Sequence, residues 1–175
     1  ALIFCLNDTP PPRIYTLSLP AALPISFPGK SADGRAFVGE AVLAGAPAAI
    51  GAAPAPDGVE VPYLEVESPR RAAGILAARI AGDPSSRLVM AGVTGTSGKT
   101  TTTLLLDEVL GAAHPKRGLF GTLVYRWGDA PAETLDASRT TPEATELQPM
   151  LGALAAGGGT AATLECSSHA LWLER

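Results

Sequence analysis

Residues 88–101 read LVMAGVTGTSGKTT, and this stretch decides the fold of the chain. The apolar run Leu88–Val93 predicts a strand, and Thr101–Leu110 predicts a helix that begins directly after a glycine-rich turn. Glycines let successive backbone N–H groups converge on an anion, and the start of the helix adds partial positive charge. The stretch therefore predicts a loop that binds the phosphates of a nucleotide.

Specific roles follow from the residue types in this loop. Lys99 is the candidate catalytic residue because its ammonium can reach the outer phosphates, and the Thr100 hydroxyl can ligate Mg²⁺. The loop departs from the general phosphate-binding pattern, since Val93 stands where a glycine is expected, five places before Gly98. A chance Gly-Lys-Thr turn is the alternative, but the flanking strand and helix favour the functional interpretation. The candidate nucleotide-binding residues are Gly95, Thr96, Ser97, Gly98, Lys99, Thr100 and Thr101.

Composition and charge exclude several classes of protein. The formal net charge of −4 lacks the basic footprint of a nucleic-acid-binding domain. The sequence contains no uninterrupted run of about 18 apolar residues, so it predicts no membrane-spanning helix. The two cysteines do not form a disulfide framework, which favours a reducing, cytoplasmic setting. We therefore expect neither nucleic acid nor a membrane among the partners.

The first 26 residues differ in character from the remainder. The segment Pro10–Ser26 contains five prolines and no hydrophobic period. A signal peptide is one interpretation, but a basic n-region is missing and the prolines interrupt the apolar stretch. The segment instead resembles a translated sequencing-adapter tail. We therefore expect residues 1–26 to be a non-native leader without function.

Strand and helix signals alternate from Phe27 onward, and a polar segment separates two groups of them. Gly82–Ser86 is rich in turn residues and predicts a hinge. We therefore expect a partial first domain over residues 27–82 and a partial second domain over residues 87–175. The alternation predicts the α/β class, with parallel sheets covered by helices.

Polar clusters follow the predicted strands of the second domain. The carboxyl ends of parallel strands share one edge of a sheet, where ligands bind. Glu165 ends an apolar strand, and a buried carboxylate there requires a cation such as the Mg²⁺ of a nucleotide, unless the side chain simply reaches the surface. His169, four residues later, is either a further metal ligand or a structural histidine.

Nucleophilic catalysis is a weaker interpretation of the same segment. Ser167–His169 suggest a serine hydrolase, but the glycines of the G-x-S-x-G nucleophile elbow are missing. Cys166 is a possible nucleophile, although a small buried strand residue is the simpler interpretation.

Several stretches together resemble the Mur ligase family. The form T-G-T-x-G-K-T-T, at Thr94–Thr101, is the ATP loop of that family, and the loop alone also suits folylpolyglutamate synthetases. The combination of TTPE at Thr140–Glu143 with E-x-SSHAL at Glu165–Leu171 points to the branch that makes UDP-MurNAc-tripeptide. The resembling stretches are Pro28–Ile50, Gly92–Leu106, Gly118–Asp129, Arg139–Leu151 and Glu165–Arg175.

The resemblance implies a small α/β uridine-binding domain, followed by the first half of an ATP-binding domain with a P-loop-type parallel sheet. It implies an amide ligase of peptidoglycan synthesis that uses ATP and Mg²⁺. Such an enzyme adds meso-diaminopimelate or L-lysine to UDP-MurNAc-L-Ala-D-Glu through an acyl phosphate. We expect the complete enzyme to be a cytoplasmic monomer.

The resemblance also implies the roles of individual residues. Gly95–Thr101 would hold ATP, Thr100 and Glu165 would hold one Mg²⁺, and His169 would hold a second. The residues that would contact the UDP-MurNAc-peptide are Lys30, Ser31 and Ala32 in the first domain and Thr140, Thr141, Ser168 and Arg175 in the second.

The chain departs from the family pattern in several places. Ser97 replaces the common Asn of the loop, and Cys166 replaces a small aliphatic residue. The early Asp-Ser-Arg uridine motif, a modified lysine and the C-terminal domain that receives the amino acid are missing, so we expect this chain alone to be inactive. Two other functions stay open, namely another amide ligase of the superfamily and a nucleotide-binding module without ligase activity.

Overall fold

The computed structural model describes residues 2–6, 22–27, 33–128, 133–137 and 139–174. The chain forms two compact units, Ala1–Leu76 and Ala77–Arg175. The sequence predicts the division at the turn-rich segment Gly82–Ser86, whereas the first unit ends within a helix. None of the described helices has the length and apolar character needed to cross a bilayer.

The first unit is built around a small parallel sheet. Its elements are β1 (Leu2–Leu6), β2 (Ala22–Ser26), α1 (Val38–Leu43), β3 (Ala49–Gly51), β4 (Tyr63–Glu65) and the first part of α2 (Pro69–Ile80). The strands lie in the order β1-β2-β3-β4, and all neighbours are parallel. Ser68 directly before Pro69 predicts the cap of a helix, and the Arg71 N–H donates to Ser68 Oγ at 3.3 Å, which confirms Ser68 as the cap of α2.

Strand β2 contributes to the core of the first unit. Ile25 is fully buried and packs in one cluster with Phe27, Ile50 and Ala73. The Ser26 hydroxyl donates a hydrogen bond to the Ile50 carbonyl oxygen at 3.3 Å. The expected boundary between the leader and the first domain, after residue 26, therefore separates β2 from the sheet to which it belongs. The non-native origin of residues 1–26 stays a prediction.

The second unit combines parallel and antiparallel strands in one sheet. Its elements are β5 (Val89–Val93), α3 (Lys99–Gly111), β6 (Arg117–Phe120), β7 (Val124–Trp127), β8 (Glu133–Asp136), α4 (Ala144–Ala156), β9 (Ala161–Glu165) and α5 (Ser168–Trp172). The strands lie in the order β5-β9-β6-β7-β8. Strands β5, β9 and β6 are parallel, whereas β7 is antiparallel to both of its neighbours. The predicted α/β class with parallel sheets is confirmed, and β7 and β8 add antiparallel strands at one side of the second sheet.

The mixed sheet arises from a chain reversal at Gly121. The run Gly118–Tyr125 predicts one strand, but β6 ends at Phe120 and the chain turns back. The Gly121 N–H donates to the Val124 carbonyl oxygen at 3.1 Å and closes a tight turn. Residues 121–123 therefore lie at the carboxyl end of β6, the edge at which β9 also ends.

Helix α4 covers the core of the second unit. Thr141–Glu143 predicts the start of a helix with proline at an early position, whereas α4 begins at Ala144, directly after Glu143. Glu143 and Glu146 form a reciprocal capping box there. The apolar side of α4 packs in one hydrophobic cluster with Phe120 and Trp127. The buried residues of this side recur at helical spacing and are Leu147, Met150, Leu151 and Leu154.

A buried acidic side chain connects α3 to strands β6 and β7. Asp107 is 1% exposed. Its carboxylate oxygens lie 3.1 Å from Arg117 Nε and 2.5 Å from Arg126 Nη2. Since Arg117 belongs to β6 and Arg126 to β7, these ion pairs attach the helix that follows the glycine-rich loop to two strands of the sheet.

We expect Asp107→Ala to lower the free energy of unfolding by roughly 3 kcal/mol, because the substitution leaves two arginines without their buried partner. Urea denaturation of this chain measures the change. Glu108→Ala is the matched control, since Glu108 is 76% exposed and lies 3.6 Å from Arg117. It should change the free energy of unfolding by less than about 0.5 kcal/mol. Equal changes in the two variants would contradict the role given to Asp107.

Candidate functional site

The loop after β5 has the backbone geometry that its glycines predict. Gly95 and Gly98 have φ values of 149° and 76°, a range that side-chain-bearing residues rarely adopt. Gly98 directly precedes α3, and no side chain caps the helix there. The N–H groups at the start of α3 therefore face an exposed loop, Thr94–Gly98, as an anion site requires.

The Lys99 ammonium lies against this loop. Its Nζ atom donates to the Gly95 carbonyl oxygen at 2.9 Å and to the Thr96 carbonyl oxygen at 3.5 Å. The positive charge therefore lies beside the segment whose N–H groups would surround a phosphate. The contact of Lys99 with a nucleotide stays a prediction.

Glu165 ends β9 next to the loop. Strand pairing aligns Glu165 with Val93, the last residue of β5. The Glu165 side chain is 1% exposed, and Thr100 Oγ1 donates to its Oε2 atom at 3.0 Å. The two predicted metal ligands therefore meet at the carboxyl edge of the sheet, although 65 positions separate them in the chain.

Thr122 completes the surroundings of the Glu165 carboxylate, and sequence reasoning missed this residue. Its backbone N–H donates to Glu165 Oε1 at 2.9 Å, and its hydroxyl lies 3.2 Å from Oε2. A Gly-Thr pair inside the family-like stretch Gly118–Asp129 was the available signal. The strand predicted across that pair concealed it, because the turn at Gly121 was not recognised.

The atoms around Glu165 suit a divalent cation. Among the described contacts of the carboxylate, all three donors are neutral N–H or O–H groups of Thr100 and Thr122. A buried carboxylate without a positive partner is costly. The Thr100 hydroxyl and the Glu165 carboxylate are hard oxygen ligands of the kind that Mg²⁺ prefers. These two side chains therefore fit the metal that accompanies a nucleotide.

Gly121 has no side chain, and the Glu165 carboxylate occupies the space beside it. A Cβ atom at position 121 would overlap Glu165 Oε1. We expect Gly121→Ala to displace the carboxylate and to weaken Mg²⁺-dependent nucleotide binding at least about tenfold. Titration with Mg²⁺ and a fluorescent ATP analogue measures this change.

Gly39→Ala is the matched control for this substitution. Gly39 lies in α1, and nothing lies within 4 Å of a Cβ atom placed there. This variant should bind the nucleotide as the unmodified protein does. An unchanged Mg²⁺ titration for Gly121→Ala would refute the close fit between Gly121 and Glu165.

Thr140 and Thr141 reach the same edge of the sheet. Thr141 Oγ1 donates to the Glu165 carbonyl oxygen at 2.7 Å and accepts from the Ser167 N–H at 3.0 Å. Thr140 Oγ1 lies 3.1 Å from Thr122 Oγ1. The structure therefore brings two predicted substrate residues to the predicted metal ligands, while their contact with a substrate stays a prediction.

Ser168 and His169 are exposed on α5. The His169 ring stacks on Trp172, with 6.3 Å between the ring centroids. Within the described parts of the chain, no three His, Cys, Asp or Glu side chains lie close enough to hold a metal ion. The roles of His169 toward a second metal and of Ser168 toward substrate stay predictions. The neighbouring Ser167 hydroxyl accepts from the Ala170 N–H at 3.1 Å and caps α5.

Cys166 has the character of a packed thiol. The residue is half-buried, and this burial raises the pKa of its thiol, which keeps it from the thiolate form that a nucleophile requires. The structure therefore favours the interpretation as a small strand-end residue. The other predicted substrate residues lie outside the described parts of the chain and are Lys30, Ser31, Ala32 and Arg175.

The fold and the site define a protein of the α/β class whose glycine-rich loop has the geometry of a phosphate-binding loop. A glycine-rich loop joins a strand to a helix that begins with lysine, and a buried carboxylate lies on the neighbouring strand. Among known families, the Mur ligase middle domain matches residues 93–175. The chain belongs to the Mur ligases, as its motifs predict.

Curated relatives agree with this membership. The chain is 41% identical over 156 residues to a UDP-N-acetylmuramoyl-L-alanyl-D-glutamate–2,6-diaminopimelate ligase of Solibacter usitatus, covering 89% of this chain and 31% of the relative. It is 42% identical over 153 residues to a UDP-N-acetylmuramyl-tripeptide synthetase of Roseiflexus, covering 87% of this chain and 30% of the relative. The chain therefore spans slightly less than a third of the length of these relatives.

Solved structures share the fold. A UDP-N-acetylmuramoyl-L-alanyl-D-glutamate–2,6-diaminopimelate ligase superposes with a TM-score of 0.65 at 26% identity, over 98% of this chain and 30% of that one. The MurF ligase of Thermotoga maritima in complex with ADP superposes with a TM-score of 0.52 at 26% identity, over 85% of this chain and 29% of that one.

Proposed function

We propose that the complete protein is an ATP-dependent ligase that joins a diamino acid to UDP-MurNAc-L-Ala-D-Glu. The observation that carries the proposal is the hydrogen bond between Thr100 and the buried Glu165, beside the glycine-rich loop and Thr140–Thr141. A relative named for this substrate and for 2,6-diaminopimelate supports it, as does a structural neighbour that binds ADP. The proposal concerns the whole protein because this chain spans less than a third of its relatives.

The proposed reaction has two steps. A substrate carboxylate oxygen attacks the γ-phosphorus of ATP and ADP leaves; the amine of the diamino acid then attacks the acyl carbon, and phosphate leaves. Such a reaction requires positioning and charge neutralisation above all. The N–H groups of Gly95–Thr101 would orient the phosphates, and Lys99 would stabilise the negative charge that develops on the transferred group.

The remaining predicted residues would bind the metal and the acceptor substrate. Thr100 and Glu165 would hold Mg²⁺, which when bound offsets the negative charge of the phosphates, and His169 would serve a second ion. The residues that would contact the UDP-MurNAc-peptide are Lys30, Ser31, Ala32, Thr140, Thr141, Ser168 and Arg175.

We also propose that the complete protein is a cytoplasmic monomer whose partners are small molecules. The half-buried free thiol of Cys166 suits a reducing compartment. The net charge of −4 disfavours nucleic acid as a partner. Light scattering coupled to gel filtration measures the oligomeric state.

A product assay tests the proposed ligase activity. The protein encoded by the complete gene is incubated with ATP, Mg²⁺ and UDP-MurNAc-L-Ala-D-Glu, and with either meso-diaminopimelate or L-lysine. We expect a UDP-MurNAc-tripeptide, detected by mass, in equal amount to the ADP released. Extension of a folate by glutamate would instead support another ligase of the superfamily, and nucleotide binding without product would support a binding module. The 175-residue chain alone is expected to make no product.

A further inference from the structure

The Thr122 hydroxyl lies between the proposed metal site and the proposed substrate segment. Thr122 Oγ1 is 3.2 Å from Glu165 Oε2 and 3.1 Å from Thr140 Oγ1. The Thr122 N–H donates separately to Glu165 Oε1 at 2.9 Å. The backbone of the β6–β7 turn therefore holds the residue in place, and its hydroxyl is left to bridge the two neighbours.

The Thr122 hydroxyl has a single proton, so the direction of its hydrogen bonds depends on what binds at Glu165. A hydroxyl has one proton, so Thr122 can donate to the carboxylate or to Thr140, but not to both at once. Glu165 Oε2 also accepts from Thr100 Oγ1, the other proposed metal ligand. A cation held by Thr100 and Glu165 would compete for the lone pairs of Oε2, and the Thr122 proton would then turn toward Thr140.

The turn of the Thr122 proton changes the hydrogen bonding of Thr140. When its oxygen accepts the Thr122 proton, the Thr140 hydroxyl is free to donate its own proton to an oxygen atom of the substrate. The UDP-MurNAc-peptide contains phosphate, carbonyl and carboxylate oxygens that accept such a bond. Occupation of the metal and nucleotide site would therefore prepare Thr140 for the acceptor substrate.

We propose that Thr122 is a positioning residue that couples metal–nucleotide binding at Glu165 to acceptor-substrate binding at Thr140. This inference rests on the proposed function. Coupling of two sites is reciprocal, so the bound substrate should also tighten the binding of the nucleotide.

Two substitutions separate the hydroxyl from the rest of the residue. Thr122→Val keeps the branched shape and the N–H that bonds Glu165 Oε1, and removes only the bridging hydroxyl. Thr122→Ser keeps the hydroxyl and serves as the conservative variant. Thr122 is exposed, so both proteins should fold, and their thermal unfolding temperatures verify this.

Calorimetry on the complete protein measures the coupling. The affinity for UDP-MurNAc-L-Ala-D-Glu is determined with and without Mg²⁺ and a non-hydrolysable ATP analogue. We expect the nucleotide to tighten substrate binding at least about fivefold in the unmodified protein and in Thr122→Ser. In Thr122→Val the ratio should fall close to one, and the KM for the substrate should rise more than kcat falls.

Two results would overturn the inference while leaving the proposed function intact. One is a Thr122→Val protein that keeps the full coupling ratio, and the other is an unmodified ligase that shows no coupling. An unmodified protein that neither binds nor extends the UDP-MurNAc-dipeptide would instead overturn the proposed function, and the inference with it.

Discussion

Lys99→Ala is expected to lower the kcat of ATP-dependent ligation by about 10³-fold in the complete protein. The Lys99 ammonium lies against the loop at Gly95 and Thr96, beside the uncapped start of α3. Removal of this charge leaves the developing negative charge of the transferred phosphoryl group without its cationic side chain. A coupled assay that follows the release of ADP and phosphate measures the fall in kcat.

Lys116→Ala is the matched control for this prediction. Lys116 precedes β6, at the opposite end of the sheet from the glycine-rich loop, and its Nζ atom donates to the Gly157 carbonyl oxygen at 3.1 Å. This variant removes an equal charge away from the site and should keep its activity within about twofold. Full ATP-dependent activity in Lys99→Ala would reject the assignment of the loop.

Glu165→Gln should raise the Mg²⁺ concentration required for half-maximal activity at least about tenfold and lower kcat by about 10². Glutamine has the shape of glutamate and can still bond the hydroxyls of Thr100 and Thr122. It lacks the negative charge that would bind the cation, so the fold should survive while the metal site is lost.

A Mg²⁺ titration of nucleotide binding provides a second readout for Glu165→Gln that does not depend on catalysis. Glu108→Gln is the control, because Glu108 is exposed on α3 and makes only a distant ion pair with Arg117, at 3.6 Å. A Mg²⁺ dependence in Glu165→Gln that equals the dependence of Glu108→Gln would show that Glu165 does not serve the metal.

Local patterns in the sequence were sufficient for much of the fold. The strand before the loop and the glycine at the start of α3 were predicted from nearest neighbours, because backbone conformation there depends on glycine and on side chains a few residues away. The same holds for Ser68 as the cap of α2.

Long-range geometry accounts for what the patterns missed. The Gly-Thr pair at Gly121 is a weak local sign of the chain reversal, because both arms of the hairpin are strand-like and the run Gly118–Tyr125 predicts one strand. The pairing of Asp107 with Arg126 depends on that reversal, because it brings β7 beside α3. Thr122 was missed for the same reason.

The sequence by itself determined the class of the protein, its family and the geometry of the glycine-rich loop, because short motifs of glycine, lysine and threonine encode their geometry locally. Only the tertiary structure decided which distant groups meet at the carboxyl edge of the sheet. Glu165 lies between Thr100 and Thr122 because parallel pairing of β9 with β5 and β6 brings the ends of three strands together. No local pattern contains that information, since each of these contacts joins residues at least 43 positions apart.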